Sequence, residues 1–576
     1  MKQERERPPA DERETKIVDE VYQIHAQCNL YRATFAMQWE EAAQLIMPDQ
    51  RNTFFRENYN FPGMKKTDRQ VDASGMVANL KFAAICDSMI TPFSSKWHNL
   101  EASNPYIQKD RRTRLWLEEL SRRIYTKRYM GAANFRKQNN QLFQSIGAFG
   151  NGPMFIDQLR DMHGRPIKGF RYKGLPVGEV YIRTNHQGQV DAFVRAYRMT
   201  ARQAMQEWGH DMLPPELDDA QDKNSEQLFD FFHCVYPNTD YDPDEGLTKN
   251  GKPFVSYYVS CLGRRLMQEG GYYSFPLAYA RYAQAPNEIY GRGPAQSVLP
   301  ALKTLNAEKA TFLKAGHRAA DPVLLTADDG LSDFSLIPGS LNKGSVTVEG
   351  KPLVIPLEPG NIQISKEMMD EERSLIGDVF LTTIFQTLVE NPQMTATQVI
   401  ELINQKGIFL APTVGGMASD YLDPMLEREI DLELQQEPRF RAQMPPLLRE
   451  AKGEFKIVYT SPLFKAARAG EASGFLRTLE SALNIAGQTG DPSVLDIFNF
   501  PTAFKSIAQI QDVPESWMAS DDEVAAKGQQ RAQAQEKQQQ IQALPAQAAM
   551  LKAQAQVQQR GGAVANMQGQ GPGGQQ

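Results

Sequence analysis

Apolar residues recur three and four positions apart through IVDEVYQIHAQCNLYRATFAMQWEEAAQLIMP, which begins at Ile17, and again in GMVANLKFAAICDSMITPF and RRTRLWLEELSRRIYTKRY. That spacing gathers them on one helical face, so the chain from Ile17 to about Ile146 is expected to be helical, with Pro48 and Pro92 as two of the stops. After Gly150 the period changes to two. PMFIDQL, GRPIKGFRYK, GEVYIRTN and QVDAFVRAYRM, bounded by Gly, Pro and Asn, predict an antiparallel meander whose clearest hairpin turn is Asn185 to Gly188. MTARQAMQEWG returns to helix, with Thr200 as cap and Gly209 as stop. Further strands are expected at HCVYP, PFVSYYVSC and RRLMQEG.

A helix from Gly293 to Arg318 can begin at Pro294. Val298, Leu302, Leu305 and Phe312 share one stripe, while Lys303, Lys314, His317 and Arg318 fall on the opposite side at 100° per residue. Residues 320 to 364 switch to strand and turn, with PVLL, GSVTV and PLVIPL between Gly, Pro and Asp. A second helix, Lys366 to about Val389, has an acidic opening (Glu367, Asp370, Glu371, Glu372) and is apolar almost all round beyond Leu375. With no solvated face it must be enclosed, by its own chain or by neighbours. Glu390 to Pro392 break it, Thr395 and Gln398 form a capping box for another helix, and Gly407 stops that one. Helix is expected again from Met417 to Gln436, a strand at EFKIVYT, and an amphipathic helix in FKAARAGEASGFLRTLESALNIAG. From Lys527 to Gln576 Gln, Ala and Gly dominate, a composition that cannot bury enough apolar surface to fold alone.

At 576 residues the chain should form three or four structural units. Lys plus Arg total 63 against 69 Asp plus Glu, so a net charge of -6 excludes a bulk polycation that coats nucleic acid. Cys28, Cys86, Cys234 and Cys261 are too widely spaced for a zinc knuckle or a disulfide framework, which suits a reducing cytoplasm. The N-terminus lacks an apolar segment, so no secretory signal is expected, and no stretch is long enough to span a membrane.

Catalytic signatures are mostly missing. Gly246-LTKN-Gly251-Lys252 has Walker A spacing, but Pro253 stands where a Ser or Thr hydroxyl would hold Mg²⁺, and YDPDE before it is not a buried strand; a polar hairpin loop is expected instead. The seven His residues form no metal-binding pair, and neither a GxSxG nor a GxGxxG occurs in the required context. No enzyme activity, metal or cofactor is expected. Tyr290-Gly291-Arg292-Gly293-Pro294 is more informative: it reads either as a strained turn opening a long helix, or as a site where Arg292 bonds a neighbouring carboxylate or carbonyl.

The segments WEEAAQLIMP, GEVYIRTNHQGQVDAFVRAYRMTARQAMQEWG, GGYYSFPLAYARY with NEIYGRGPAQSVLPALKTLN, NPQMTATQVIELI and TSPLFKAARAGEASGFLRTLESA together resemble the head-to-tail connector, or portal, proteins of short-tailed (podovirus-like) bacteriophages. The resemblance covers most of the chain, in order. It implies an α+β, mainly helical ring subunit with wing, stem, clip and crown regions: a charged arm at 1–16, wing at 17–292 (helical to about 149), first stem helix at 293–318, clip at 319–365, second stem helix at 366–389, channel loop at 390–396, the wing's long helix and return strand at 397–460, crown-type helices at 461–526, and a Gln/Ala/Gly-rich tail at 527–576, disordered or helical.

It further implies a ring, usually of twelve, at one capsid vertex of the virion, assembled in the host cytoplasm. Double-stranded genomic DNA would pass through without being read for sequence. Expected partners are the packaging motor (terminase), capsid and scaffolding proteins, and tail adaptors, with no membrane. Candidates for the DNA channel are Lys303, Lys314, His317, Arg318, Asn391, Gln393, Met394 and Thr395. Candidates for the subunit interface are Ile376, Phe380, Ile384, Leu388 and Arg292. The competing expectations are a helical scaffold or DNA-binding protein that forms no ring, and a nucleotide hydrolase dependent on Lys252.

Overall fold

The computed structural model describes residues 11–55, 63–161, 164–246, 248, 250–326, 335–357, 362–382, 415–450, 453–489, 497–500, 503–504, 507–508, 513, 517–519, 523–534 and 550–553. Four long helices occupy the first part: α1 (Glu12–Ile46), α2 (Ser74–Ile90), α3 (Arg111–Arg128) and α4 (Phe135–Phe149), with a single turn, Pro105–Gln108, before α3. Each start has a local cause where a cap is present. Asp11 accepts from the Glu14 amide at 2.6 Å, and Asp110 from the Thr113 amide at 3.0 Å. The first helix therefore begins five residues before the apolar pattern does. Trp39, Phe82, Leu117, Phe143 and Phe149 bury the inward faces in one core.

The alternating region forms two antiparallel sheets. In the smaller, β2 (Asn151–Arg160) lies between β3 (Pro166–Gly174) and β9 (Leu277–Arg281). The larger has the order β4 (Val180–Thr184), β5 (Val190–Thr200), β6 (Leu228–Pro237), β7 (Phe254–Ser260), β8 (Arg265–Tyr272). The turn at Asn185 is as expected: its side-chain oxygen accepts from the amides of Gln187 and Gln189 at 2.9 and 3.0 Å. Thr200 and Gln203 form a capping box at the start of α5 (Ala201–Trp208), which Gly209 ends; α6 (Pro215–Lys223) follows. The Gly246–Lys252 segment lies in the loop joining β6 to β7, so the Walker A reading falls and the hairpin reading stands.

The N-terminal half of α1 covers the larger sheet, packing Val18, Val21 and Cys28 against Val194, Phe232 and Val259. Arg13 with Glu269 and Glu14 with Arg265 pin it to the edge strand β8. Strand EFKIVYT forms as β12 (Phe455–Tyr459), paired with β1 (His98–Ala102), which the polar sequence HNLEA had hidden.

Three expectations change. The helix expected from Gly293 to Arg318 is broken: one turn, Pro294–Ser297, ends at Val298, and α7 runs Leu299–Ala320 with Pro300 in its first turn. Pro300 has no amide hydrogen to continue the preceding ladder, so the chain restarts there. The second helix, α8 (Ile362–Val379), starts four residues early. Its regular part ends ten residues short, where Leu381 adopts φ 59°; residues 383–414 lie outside the described residues.

In the insert, PVLL and PLVIPL form a three-residue ladder, β10 (Leu324–Thr326) with β11 (Val354–Pro356). GSVTV makes only the bridge Val346 to Pro352, because Gly344 and Gly350 turn the chain at φ 87° and 81°. Helix from Met417 onward forms through α9 (Asp423–Gln436), and α10 (Pro462–Thr489) covers the next amphipathic segment. The fold is α+β and mainly helical, as expected.

Candidate functional site

The site is built around the origin of α7. Asn151, at the start of β2, donates to the carbonyls of Phe149 and Gly291 at 2.8 Å each and accepts from the Gly291 amide at 2.9 Å. One side chain thus ties the end of α4 to the Tyr290–Pro294 turn. Backbone meets backbone here: a Cβ on Gly150, whose φ is 72°, would lie 2.4 Å from the Arg292 carbonyl carbon, and one on Gly293 2.6 Å from the Gly150 nitrogen. Tyr290 is fully buried beside Trp39 (5.2 Å, edge to face), and its hydroxyl accepts from the Ile182 amide at 3.2 Å.

From this anchor α7 packs along α8, and both are held by residues 69–74. Asn306 on α7 accepts from the amides of Val71 and Asp72 at 2.7 and 3.1 Å and donates to the Arg69 carbonyl at 3.0 Å. Arg373 on α8 reaches Asp72 at 3.0 Å and Asp370 at 2.8 Å. Burial works against ionisation of Asp72, but donors at Ser74 and the Arg373 charge outweigh it and hold its pKa below the usual value. Asp72 is the point at which the two helices share a footing. Neither it nor Asn306 nor Asn151 stood out in the sequence; the only signal was the run Gly150-Asn151-Gly152-Pro153 directly after a helix.

The channel candidates separate. Lys303 does not present a free charge, since its Nζ lies 2.7 Å from Glu41 on α1. Lys314, His317 and Arg318 are exposed on the outer half of α7. Asn391, Gln393, Met394 and Thr395 lie outside the described residues. Opposite the cations, Val298, Leu302 and Leu305 are buried and Phe312 is partly buried, so the two-faced reading of the helix holds.

The interface candidates also separate. Ile376 and Phe380 are buried within one chain, where Phe380 meets Phe82 of α2 at 6.1 Å; packing on α2 accounts for their burial without a neighbour. Leu375 on the same helix is half exposed. Ile384 and Leu388 are outside the described residues. Arg292 does bond a carboxylate, but that of its own Glu288, with contacts of 2.5 and 2.9 Å.

A second cluster missed in the sequence braces the body. Arg128 on α3 and Glu429 on α9, both fully buried, form a two-pronged ion pair; the Tyr172 hydroxyl donates to the same carboxylate and the guanidinium lies over Trp97 at 4.4 Å. Such a pair, wholly out of water, holds α9 against the helical layer. Among the described residues no group of His, Cys, Asp or Glu is placed to hold a metal ion, and no helix is long and apolar enough to cross a membrane.

The paired helices α7 and α8 are thus rooted in a large α+β body and carry a small exposed insert. Residues 18–518 match the family model described as bacteriophage head to tail connecting protein, and the chain belongs to that family. It is 25% identical over 521 residues to the probable portal protein of Bordetella phage BPP-1, and 24% identical over 526 residues to the portal protein of Salmonella phage epsilon15. Each alignment spans 88% of this chain and 90% of the relative. Among solved structures, a chain in the neck of an empty GTA particle overlaps 71% of this chain and 86% of its own length, at 11% identity and a TM-score of 0.30, too low for element-by-element correspondence. The chain is a structural head-to-tail connector of a phage virion, not an enzyme.

Proposed function

We propose that about twelve copies form a ring at one capsid vertex, through which double-stranded DNA is packaged and later ejected. The packaging motor docks on the ring first and the tail afterwards. The observation that carries this reading is the pair α7 and α8, rooted together at Asp72 and joined at their far ends by the exposed ladder of β10 and β11. In this reading α7 and α8 are the stem and the insert between them is the clip. Residues 17–292 with 397–460 are the wing, 390–396 the channel loop and 461–526 the crown.

Lys314, His317 and Arg318 then repeat once per subunit as rings of positive charge, with Asn391, Gln393, Met394 and Thr395 as further channel candidates. Contacts with phosphate would be weak and blind to sequence, as passage requires. The non-ring scaffold has no observation in its favour. Light scattering of the purified chain, followed by negative-stain imaging, tests the proposal: a particle of many subunits with a central hole is expected, and a monomer or dimer at every concentration overturns it.

A further inference from the structure

Between the two sheets lies a cleft of about 440 Å³. One wall comes from the smaller sheet, where Arg171 and Lys173 stand two apart on the same face of β3, opposite Asp157 and Phe155 of β2 in register. The other wall comes from the larger sheet, where Arg195, His233 and Tyr258 follow one another across β5, β6 and β7. Its floor is aromatic. His233 stacks on Tyr258 at 4.0 Å, and the Arg195 guanidinium lies over Tyr197 at 4.2 Å.

Two of the cleft's cations are matched: Arg160 pairs with Glu207 at 3.1 Å and Arg195 with Glu179 at 2.8 Å. Arg171 and Lys173 are not. Among the described residues Arg171 donates only to the Ala132 carbonyl, at 3.1 Å, and Lys173 has no ion pair. The cleft walls desolvate the Lys173 ammonium and Arg195 repels it, which brings its pKa down to about 8. Glu179 and Glu207 offset this in part, but both are bonded to Arg195 and Arg160. Two cations with no bonded carboxylate of their own, beside an aromatic floor, form a place for an anion with a flat, apolar neighbour.

The same sheet carries the opposite patch. In the loop from β6 to β7, Asp240, Tyr241, Asp242, Asp244 and Glu245 are all exposed, and among the described residues none of the four carboxylates has a cationic partner. The loop is held in shape by the Asp242 amide on the Asn250 carbonyl at 2.8 Å and the Tyr273 hydroxyl on the Gly246 carbonyl at 2.8 Å. A rotational ring needs two different, complementary patches on each subunit. Strand β6 (Leu228–Pro237) gives its middle to the cleft, at His233, and leads at its C-terminal end into the acidic loop.

We propose that the β6–β7 loop of one copy docks in the cleft of the next, with Asp240 or Asp244 pairing with Arg171 and Lys173 and Tyr241 lying on the aromatic floor. This rests on the ring reading above. The test compares ring formation by sedimentation for the native chain, a cleft variant (Arg171→Glu, Lys173→Glu), a loop variant (Asp240→Lys, Asp244→Lys) and a chain with all four changes. Each single set should raise the concentration for half-assembly at least tenfold, and the combined chain should recover most of that loss. None of the altered side chains belongs to a buried core, so unfolding midpoints should stay near native; the milder Lys173→Met and Asp240→Asn variants should each raise the assembly concentration several-fold. Absence of rings from the native chain would count against the ring reading itself. Native rings together with normal rings from either reversed set, or no recovery in the combined chain, would overturn the docking. Intact variant rings that fail to enter capsids would also overturn it, by giving the cleft to another protein.

Discussion

Gly150 shows how closely one residue can be specified. Its positive φ and the backbone of Arg292 and Gly293 leave no room for a methyl group. Gly150→Ala should therefore cost on the order of 3 kcal/mol in denaturant unfolding, from left-handed strain plus overpacking; a change under about 1 kcal/mol would show that the turn relaxes. Two histidines give a pH signature. Burial, followed by the nearby Arg128 charge, pushes His98 well below its usual pKa, and burial, followed by Arg195, brings His233 to about 3. Both are neutral when folded, whereas the unfolded chain takes up protons below about pH 6.5. Stability should thus fall by roughly 1.4 kcal/mol per pH unit for each residue as pH drops from about 6.5 towards 3. His233→Gln should remove about half of that slope in urea unfolding between pH 6 and pH 4, and an unchanged slope would assign it to other groups. The Tyr290–Pro294 cluster was visible in the sequence because glycines flanking an Arg before a proline are unusual. Its partner Asn151 was not, since a contact between residues 140 positions apart leaves no periodic trace.

At the scale of elements, helix and strand periods predicted α1 to α5 and most of both sheets because one face of each is buried, so composition and packing agree. The break at Val298 was missed because the apolar stripe continues through it; only Pro300 betrayed the restart. The ladder of β1 and β12 was half visible, because HNLEA alternates burial through His98, Leu100 and Ala102 rather than through an obvious apolar run. The footing of α7 and α8 is polar, and polar clamps have no period. Asn306→Ala would remove three bonds, two of them to exposed groups that water can satisfy and one to the part-buried Asp72 amide, and should lower stability by about 1 kcal/mol. A double-mutant cycle with Arg373→Ala should show coupling of at least about 0.5 kcal/mol, since both side chains act on residues 69–74. Additive losses would mean that the helices are anchored independently.

For the whole molecule, the family was readable from segments spread over most of the chain, while the sites were not, because a subunit's working surfaces are defined by neighbours that its own sequence does not contain. The insert illustrates the point. Leu336, Ile337, Leu341, Val346 and Val348 are exposed, Leu341 at 91%, and none belongs to the buried cores, so the subunit gains little by keeping them apolar. Soluble surfaces rarely collect so many without a use. In the proposed ring these residues form the clip, and their contacts are made only on assembly or docking. Removing Leu341 to Val348 should then leave the unfolding midpoint of the body within about 0.5 kcal/mol of native, because no core contact is lost. Rings should still form at least in part, held by the wing and stem, but DNA packaging or tail attachment should be abolished. The two measurements separate the causes: a large drop in subunit stability would make the insert part of the fold, whereas trimmed rings that package DNA and yield infectious particles would remove it from the docking surface.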